Sequence, residues 1–401
     1  MAETSALMGN YGRADLAFSH GEGSWLISTE GDRYLDFATG IAVNTLGHGH
    51  PHLVAALQAQ AERLWHVSNL YRIPEQEQLA NRLTALSGLD KAFFCNSGAE
   101  ATEAAVKMAR RAMHHRGEPQ RMTVLCSEGA FHGRTIAMLA ATDRPVFREG
   151  FGPMPGGFDH VPFGNMNALR DRLASDAESG QPKIAAVMME QVQGEGGARP
   201  LPAGFLTELR QAADEFGCLL IADDVQIGVG RSGRLFSWQE SEIKPDIIAM
   251  AKGLAGGFPI GAVLTSAAVG AAMGPGSHGS TFGGNPLAMA AANAVLDVLT
   301  ADGFMAGVRQ RAASLRQGLD ALASHKPSAI ADIRGGGLLL GIVCKEALPA
   351  GAIVGKLRDA NLLTVPAAEN TIRLLPPLTV SDSEIDIALG ILDSVFTAAV
   401  D

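Results

Sequence analysis

Two adjacent carboxylates, Asp223 and Asp224, end the apolar run at 219–222 in the stretch LLIADDVQIGVGRSG. Carboxylates at the mouth of a buried strand cost desolvation energy unless a cation or hydrogen-bond donors meet them. Lys252 stands in a comparable place: it ends the apolar run of DIIAMAKGLAGGFPIGA and precedes Gly253, Gly256 and Gly257. A lysine partly desolvated at a strand end has a lowered pKa, so its neutral amine can form a Schiff base with a carbonyl. In a third segment, CNSGAEATEAAVKMARR, a strand ends at Asn96 and Ser97-Gly98-Ala99 opens a helix. Unpaired N–H groups and the positive end of the helix dipole meet there, and Gly98 lets an anion approach the backbone, as in a phosphate cradle. Taken alone, that segment suits an ordinary serine cap equally well.

Two further motifs invite chemistry. Gly228, Gly230 and Gly233 satisfy G-x-G-x-x-G after a strand, the fingerprint of dinucleotide binding. The segment after the third glycine, RLFSWQESEIKPD, has no apolar helical stripe, and the two aspartates before the turn would repel a pyrophosphate. A nicotinamide (NAD) dehydrogenase built on these glycines is therefore the alternative from another class. The second motif, GHGHPH, sets His48, His50 and His52 at alternating positions. Pro51 and the glycines favour a turn leading into a helix over a metal site, since no cysteine or acidic cluster lies nearby.

The elements that must position these groups follow from hydrophobic periodicity. Between about residues 90 and 265 short apolar runs alternate with helical stretches. KAFFCN, RMTVLCS, IAAVMMEQV, CLLIADDV, DIIAMA and GAVLTS read as strands, and 100–114 and 203–216 as helices. Such alternation predicts an α/β fold with a mainly parallel sheet flanked by helices. In an open sheet of that kind, functional groups gather at the carboxyl ends of the strands. Upstream, two short strands surround the turn Glu30-Gly31-Asp32, and HPHLVAALQAQAERLWH is helical. Downstream, one long helical stretch at about 285–325 leads to IADIRGGGLLLGIVC and TIRLLPPLT, which read as antiparallel strands of a smaller α+β domain. The expected division is an N-terminal segment at 1–45 packing with the small domain, a large domain at 46–290, and the small domain at 291–401.

The 401 residues are ample for a large core, and 47% hydrophobic content with 47 glycines suits a compact enzyme. A net charge of −10 argues against nucleic acid or an anionic membrane as partner. The N-terminus has no basic stretch followed by an apolar core, and no apolar run approaches membrane-spanning length. The four cysteines are far apart and read as reduced core thiols, which points to the cytoplasm.

A carboxylate at one strand end, a Schiff-base lysine at the next and a phosphate cradle at an earlier one together suit pyridoxal 5'-phosphate. That cofactor needs a phosphate anchor, an aldehyde-binding lysine and an anion to hold its ring nitrogen protonated. Asp223 would then meet a pyridinium. Successive side chains on a strand face opposite ways, so Asp224 should point away and serve the fold.

From end to end, the chain resembles the class III (subgroup II) pyridoxal-phosphate-dependent aminotransferases. The resemblance is carried by LDFATGIAVNTLGHGHP, LWHVSNLYRIPEQEQLA, FFCNSGAEATEAAVKMAR, GAFHGRTIAMLAATDRPVFREGFGPMPGGFDHVPF, EQVQGEGG, DDVQIGVGRSG, AKGLAGGFPIGA, HGSTFGGNPLA and IRLLPPLT. It implies fold type I, with a seven-stranded type of sheet in the large domain. It also implies that Lys252 is the catalytic lysine, which binds the cofactor and shuttles a proton. Asp223 would pair with the ring nitrogen, Gln226 would touch the ring hydroxyl, and Phe131 would stack on the ring. Ser97, Gly98 and Ala99 would bind phosphate, with Val225 at the cofactor too. Thr281, with Ser280 beside it, resembles a phosphate contact donated by a neighbouring subunit, which implies a homodimer with shared active sites.

Among family members the likeness is greatest to those using N2-acetyl-L-ornithine, so a ping-pong exchange with 2-oxoglutarate and glutamate in arginine biosynthesis is expected. Other ω-amino donors, such as succinylornithine, succinyldiaminopimelate, ornithine or 4-aminobutyrate, are the alternatives. By resemblance Arg134 would take the acetylornithine carboxylate and Arg373 that of glutamate. Glu195 would pair with Arg373 until glutamate needs it. Two positions depart from the family pattern: Asp224 stands where Glu is usual, and Ile227 where Thr or another small residue is usual.

Overall fold

The computed structural model describes residues 6–400, so the first five residues of the expected N-terminal segment and the last residue of the small domain lie outside the described residues. Runs of apolar residues with no polar interruption become strands covered on both faces. Ile184–Met189 is buried at every position, as are Ile247–Ala251 and Gly261–Thr265. These belong to a seven-stranded sheet in the order Lys91–Cys95, Gly261–Thr265, Ile247–Ala251, Leu219–Asp223, Ile184–Met189, Thr123–Ser127, Phe158–Val161. Gly261–Thr265 runs antiparallel to both its neighbours, and the other pairings are parallel. The strands Lys91–Cys95, Leu219–Asp223 and Ile247–Ala251 therefore end on the same side, and that side receives Ser97, Asp223 and Lys252.

The helix Gly98–His115 buries Ala101, Ala104, Ala105, Met108, Ala109 and Ala112 on one face, where small side chains let it lie close on the sheet. Ser97 caps it by accepting the Glu100 N–H. The expected helix at 203–216 is Phe205–Glu215, opened by Gly204 at φ +81°.

A four-stranded antiparallel sheet, ordered Ile330–Gly336, Leu339–Cys344, Thr371–Leu374, Val365–Ala367, forms the core of the C-terminal part. The helices Phe304–His325 and Ala350–Asp359 pack with it, and Asp382–Val400 packs with both of them. The strands Trp25–Ser28 and Arg33–Asp36 flank the expected turn, joined by Phe18–Glu22. Arg33–Asp36 also pairs in parallel with Leu362–Leu363, tying the start of the chain to its far end.

The single helical stretch expected at about 285–325 is two helices, Pro286–Leu299 and Phe304–His325, set at 75°. Gly303, with φ +79°, supplies the left-handed residue that starts the second one. Residue 290, the expected domain boundary, lies inside the first helix. The strand Phe158–Val161 escaped the sequence reading because FDHV is half polar.

The histidine motif is a turn. Gly47 and Gly49 have positive φ, His48 bonds Asp36 at 2.8 Å, and His52 bonds Asp297 at 2.9 Å. Among the described residues no group of three or more His, Cys, Asp or Glu is placed to hold a metal. Nor is any single helix there long and apolar enough to cross a membrane. All four cysteines are buried and free.

The glycine-rich GVGRSG segment opens no helix; it closes a turn around Arg231, which is 1% exposed. The Arg231 Nη1 donates to the carbonyls of Leu338 and Pro376, both at 2.9 Å, so this turn bolts the large sheet's loops to the C-terminal part.

Candidate active site

Lys252 follows the strand Ile247–Ala251 directly, at φ +47°. A left-handed backbone is uncommon for a residue with a Cβ and persists only where its surroundings enforce it. Here the glycines after it allow a close approach: a Cβ on Gly253 would come 2.1 Å from Thr45 Oγ1. Lys252 lines a cavity of about 410 Å³ that also receives Ser97, Gly98, Ala99, Phe131, Arg134, Asp223, Val225 and Gln226. Residues far apart in the sequence, from Ser97 to Lys252, thus share one cavity. Desolvation pushes the Lys252 pKa down to about 8; Arg373 adds to this, while Glu195, Asp223 and Glu190 oppose it.

Asp223 is 3% exposed. One carboxylate oxygen accepts the Val225 N–H at 3.0 Å and the other lies 2.7 Å from His132 Nδ1. Burial disfavours charge on the His132 ring, but the bond to Asp223 and the contact with Cys126 outweigh it, and the histidine pKa is raised well above its ordinary value. Asp224 turns the other way. It accepts the Ser237 N–H at 2.9 Å together with the Ser237 hydroxyl, and burial pushes its pKa up to about 6. Ile227 is buried in a small cluster with Val192 and Leu339, away from the cavity lining.

Two residues in this wall escaped the sequence reading. His132 is the in-chain partner of Asp223. Glu190 follows the buried strand Ile184–Met189, accepts the Phe131 N–H at 3.1 Å, and is driven by burial to a pKa of about 7. A carboxylate ending an apolar strand is the signal that singled out Asp223, and it was equally present for Glu190. Nothing local marks His132, whose partner lies 91 residues away.

The residues expected to meet substrate divide into two sets. Arg134 is exposed at the cavity, its guanidinium 3.7 Å from the Phe147 ring centre and 5.5 Å from that of Phe131. Among the described residues it forms no ion pair. Arg373, on the strand Thr371–Leu374, is 1% exposed. Its Nη2 lies 2.7 Å from Glu195 Oε1 and its Nη1 donates to Gln226 Oε1 at 2.9 Å. Ser280 and Thr281 do not line this cavity. The Ser280 hydroxyl accepts from the Asn96 amide at 3.1 Å and the Gly283 N–H at 2.9 Å, and Thr281 is exposed beside it.

The cavity suits the cofactor expected from the sequence. Ser97 Oγ takes the Glu100 N–H, and among the described residues the N–H groups of Gly98 and Ala99 have no partner in the chain. Gly98 leaves no spare room: a Cβ there would come 2.7 Å from Val225 Cγ1. A buried carboxylate, a lysine of lowered pKa and an anion cradle thus share one wall.

The chain matches the family described as aminotransferase class-III over residues 9–396. It is 52% identical to the acetylornithine aminotransferase of Mesorhizobium japonicum, covering 98% of this chain and 99% of that one. It is 51% identical to the acetylornithine aminotransferase of Agrobacterium fabrum, covering 96% and 94%. Among solved structures, the ornithine aminotransferase of Toxoplasma gondii superposes with a TM-score of 0.93 at 32% identity, covering 98% of this chain and 93% of that one. The N-acetylornithine aminotransferase of Stenotrophomonas maltophilia does so at 0.84 and 34%, covering 97% and 98%. Fold, cavity and similarity over nearly the whole chain agree, and the chain belongs to the class III aminotransferases, a family of pyridoxal-phosphate-dependent enzymes.

Proposed function

We propose that the protein is an acetylornithine aminotransferase, moving the terminal amino group of N2-acetyl-L-ornithine to 2-oxoglutarate in two half-reactions, as a cytoplasmic step of arginine biosynthesis. The observation that carries the substrate is the half-identity, over nearly the whole chain, to acetylornithine aminotransferases of several bacteria. Bound pyridoxal phosphate supplies an aldehyde that takes up amino groups and a ring that draws electrons from the carbon being deprotonated.

The chain's own residues do the rest. Lys252, with a pKa of about 8, presents a substantial neutral fraction at its Nζ and can take and return a proton there. Asp223, held on both oxygens by His132 and the Val225 N–H, would meet the ring nitrogen. Ser97, Gly98 and Ala99 offer the positive end of a helix to the phosphate. Phe131 would cover one ring face, and Gln226, already oriented by Arg373, would meet the ring hydroxyl.

The two substrates place their carboxylates at different distances from the reacting amine, and each needs a guanidinium of its own. Arg134, which forms no ion pair among the described residues, receives the acetylornithine carboxylate. Arg373 is neutralised by Glu195 until glutamate displaces that side chain.

Thr281 and Ser280 would complete the site of a second copy. Leu70, Tyr71 and Phe282 are all more than half exposed near that loop, and Asn69 bonds the Ser280 and Gly283 carbonyls. An apolar patch of this kind suits a homodimer. The close superposition on an ornithine aminotransferase favours ornithine as the second reading. Ranking acetylornithine, succinylornithine, ornithine and 4-aminobutyrate by kcat/KM tests the proposal, and a higher value for any of the other three would overturn it.

A further inference from the structure

Glu195 must release Arg373 in one half-reaction and hold it in the other, so its main chain has to stay put while its side chain swings. The Glu195 carbonyl accepts two hydrogen bonds. One comes from the Ala368 N–H at 3.0 Å, next to the strand Val365–Ala367 that pairs with Arg373's strand. The other comes from Arg144 Nη1 at 2.9 Å, reaching across from a loop about fifty residues earlier in the chain.

Arg144 opens the short turn Pro145–Arg148. Its neighbours hold that turn to the body of the protein: Asp143 accepts the Gly129 N–H at 3.2 Å, and Arg148 donates to the carbonyls of Leu139 and Thr142. The Arg144 guanidinium also lies 5.1 Å from the Phe147 ring centre, and Arg134 lies 3.7 Å from the same ring. One half-buried side chain thus touches both the loop of the switch acid and the ring on which the other substrate arginine rests.

We infer that Arg144 is a positioning residue that couples the two carboxylate sites, fixing the Glu195 backbone and seating Phe147 beneath Arg134. The inference rests on the two-carboxylate function proposed for this site. Without Arg144 the Glu195 loop gains freedom and holds Arg373 less firmly, so glutamate displaces it as easily as before or more so. Arg134 meanwhile loses its fixed platform, and the ω-amino donor suffers.

Single-turnover half-reactions of Arg144→Gln test this. The apparent Kd for acetylornithine should rise about threefold, the worth of a cation–π contact at an exposed site, with its limiting rate nearly unchanged. The glutamate half-reaction should hold or improve, and Arg144→Lys, which keeps one donor, should recover part of the loss. Calorimetry with glutarate reads Arg373 without turnover, and its affinity should be equal or tighter in Arg144→Gln. Equal losses in both half-reactions, weaker glutarate binding, or a lowered melting temperature accounting for the loss would overturn the inference. Failure of the wild-type enzyme to use acetylornithine would sink the substrate assignment instead, and the glutarate arm would still report on Arg144.

Discussion

Replacing Glu195 by Gln keeps the side chain's size and removes its charge. In the native chain Arg373 is 1% exposed and Glu195 Oε1 sits 2.7 Å from it, so an incoming carboxylate must displace a charge-assisted contact. Such a hydrogen bond contributes about 1.5–3 kcal/mol net. Glu195 keeps 22% of its side chain exposed, and solvent screening therefore places its contribution near the lower figure, about 1.5 kcal/mol or roughly tenfold in affinity. Glu195→Gln should bind glutamate about tenfold more tightly. Its ω-amino half-reaction should lose efficiency, because an uncompensated guanidinium then faces that substrate. A second signature appears at Lys252: the Glu195 charge favours the ammonium form, so removing it pushes the lysine pKa further below about 8 in the apoenzyme. Rapid-mixing single turnovers with each substrate, followed by cofactor absorbance, separate the two halves. Equal changes in both, or weaker glutamate binding, would refute the switch.

Recombination of the apoenzyme with pyridoxal phosphate should speed up as pH rises, because Lys252 reacts in its neutral form, with a midpoint of about 8. A midpoint close to the ordinary lysine value, roughly 10.4, would show that burial is not acting on it. Gly98→Ala should weaken cofactor binding on the order of tenfold by forcing a Cβ against Val225. Val225→Ala in the same chain should restore it, and a double variant no better than the single one in equilibrium titration would count against steric closure. Arg231→Met strips two buried carbonyls of their donor and should destabilise the protein by about 2–5 kcal/mol. A melting temperature unchanged from wild type would remove Arg231 as the bolt between the two parts.

The sheet was legible because apolar runs of five or six residues have one cheap fate, burial between helices. Its strand directions were less so: the reversal of Gly261–Thr265 leaves no mark in GAVLTS, which reads like its parallel neighbours. Lys252 and Asp223 stood out because a charge ending an apolar strand needs an explanation. Glu190, directly after the buried strand Ile184–Met189, carried the same signal. His132 and Arg144 act on residues 91 and 51 positions away, and pairings of that range are invisible to local pattern. The glycines of GVGRSG resemble a dinucleotide fingerprint, but the segment after them is not an α-helix. Their use is to let the chain wrap a buried arginine, as Gly233, at φ +88°, illustrates.

The pairing of Arg33–Asp36 with Leu362–Leu363 has a consequence in time. As the chain emerges from the ribosome, its first strands find each other early, but the partner that completes their sheet is made more than 300 residues later. Until then the backbone N–H groups of Leu35 and Phe37 have no carbonyl from Asn361 or Leu363 to bond, and the Thr45 carbonyl has no Leu378 N–H to receive. The long loop costs little in equilibrium stability, since closure entropy grows only logarithmically with length, but it delays the step. The sheet that holds Arg33–Asp36 is therefore complete only once residues 361–378 have been made. A truncation at the C-terminus would therefore be felt at the N-terminus, where protease sensitivity of residues 17–45 would report it.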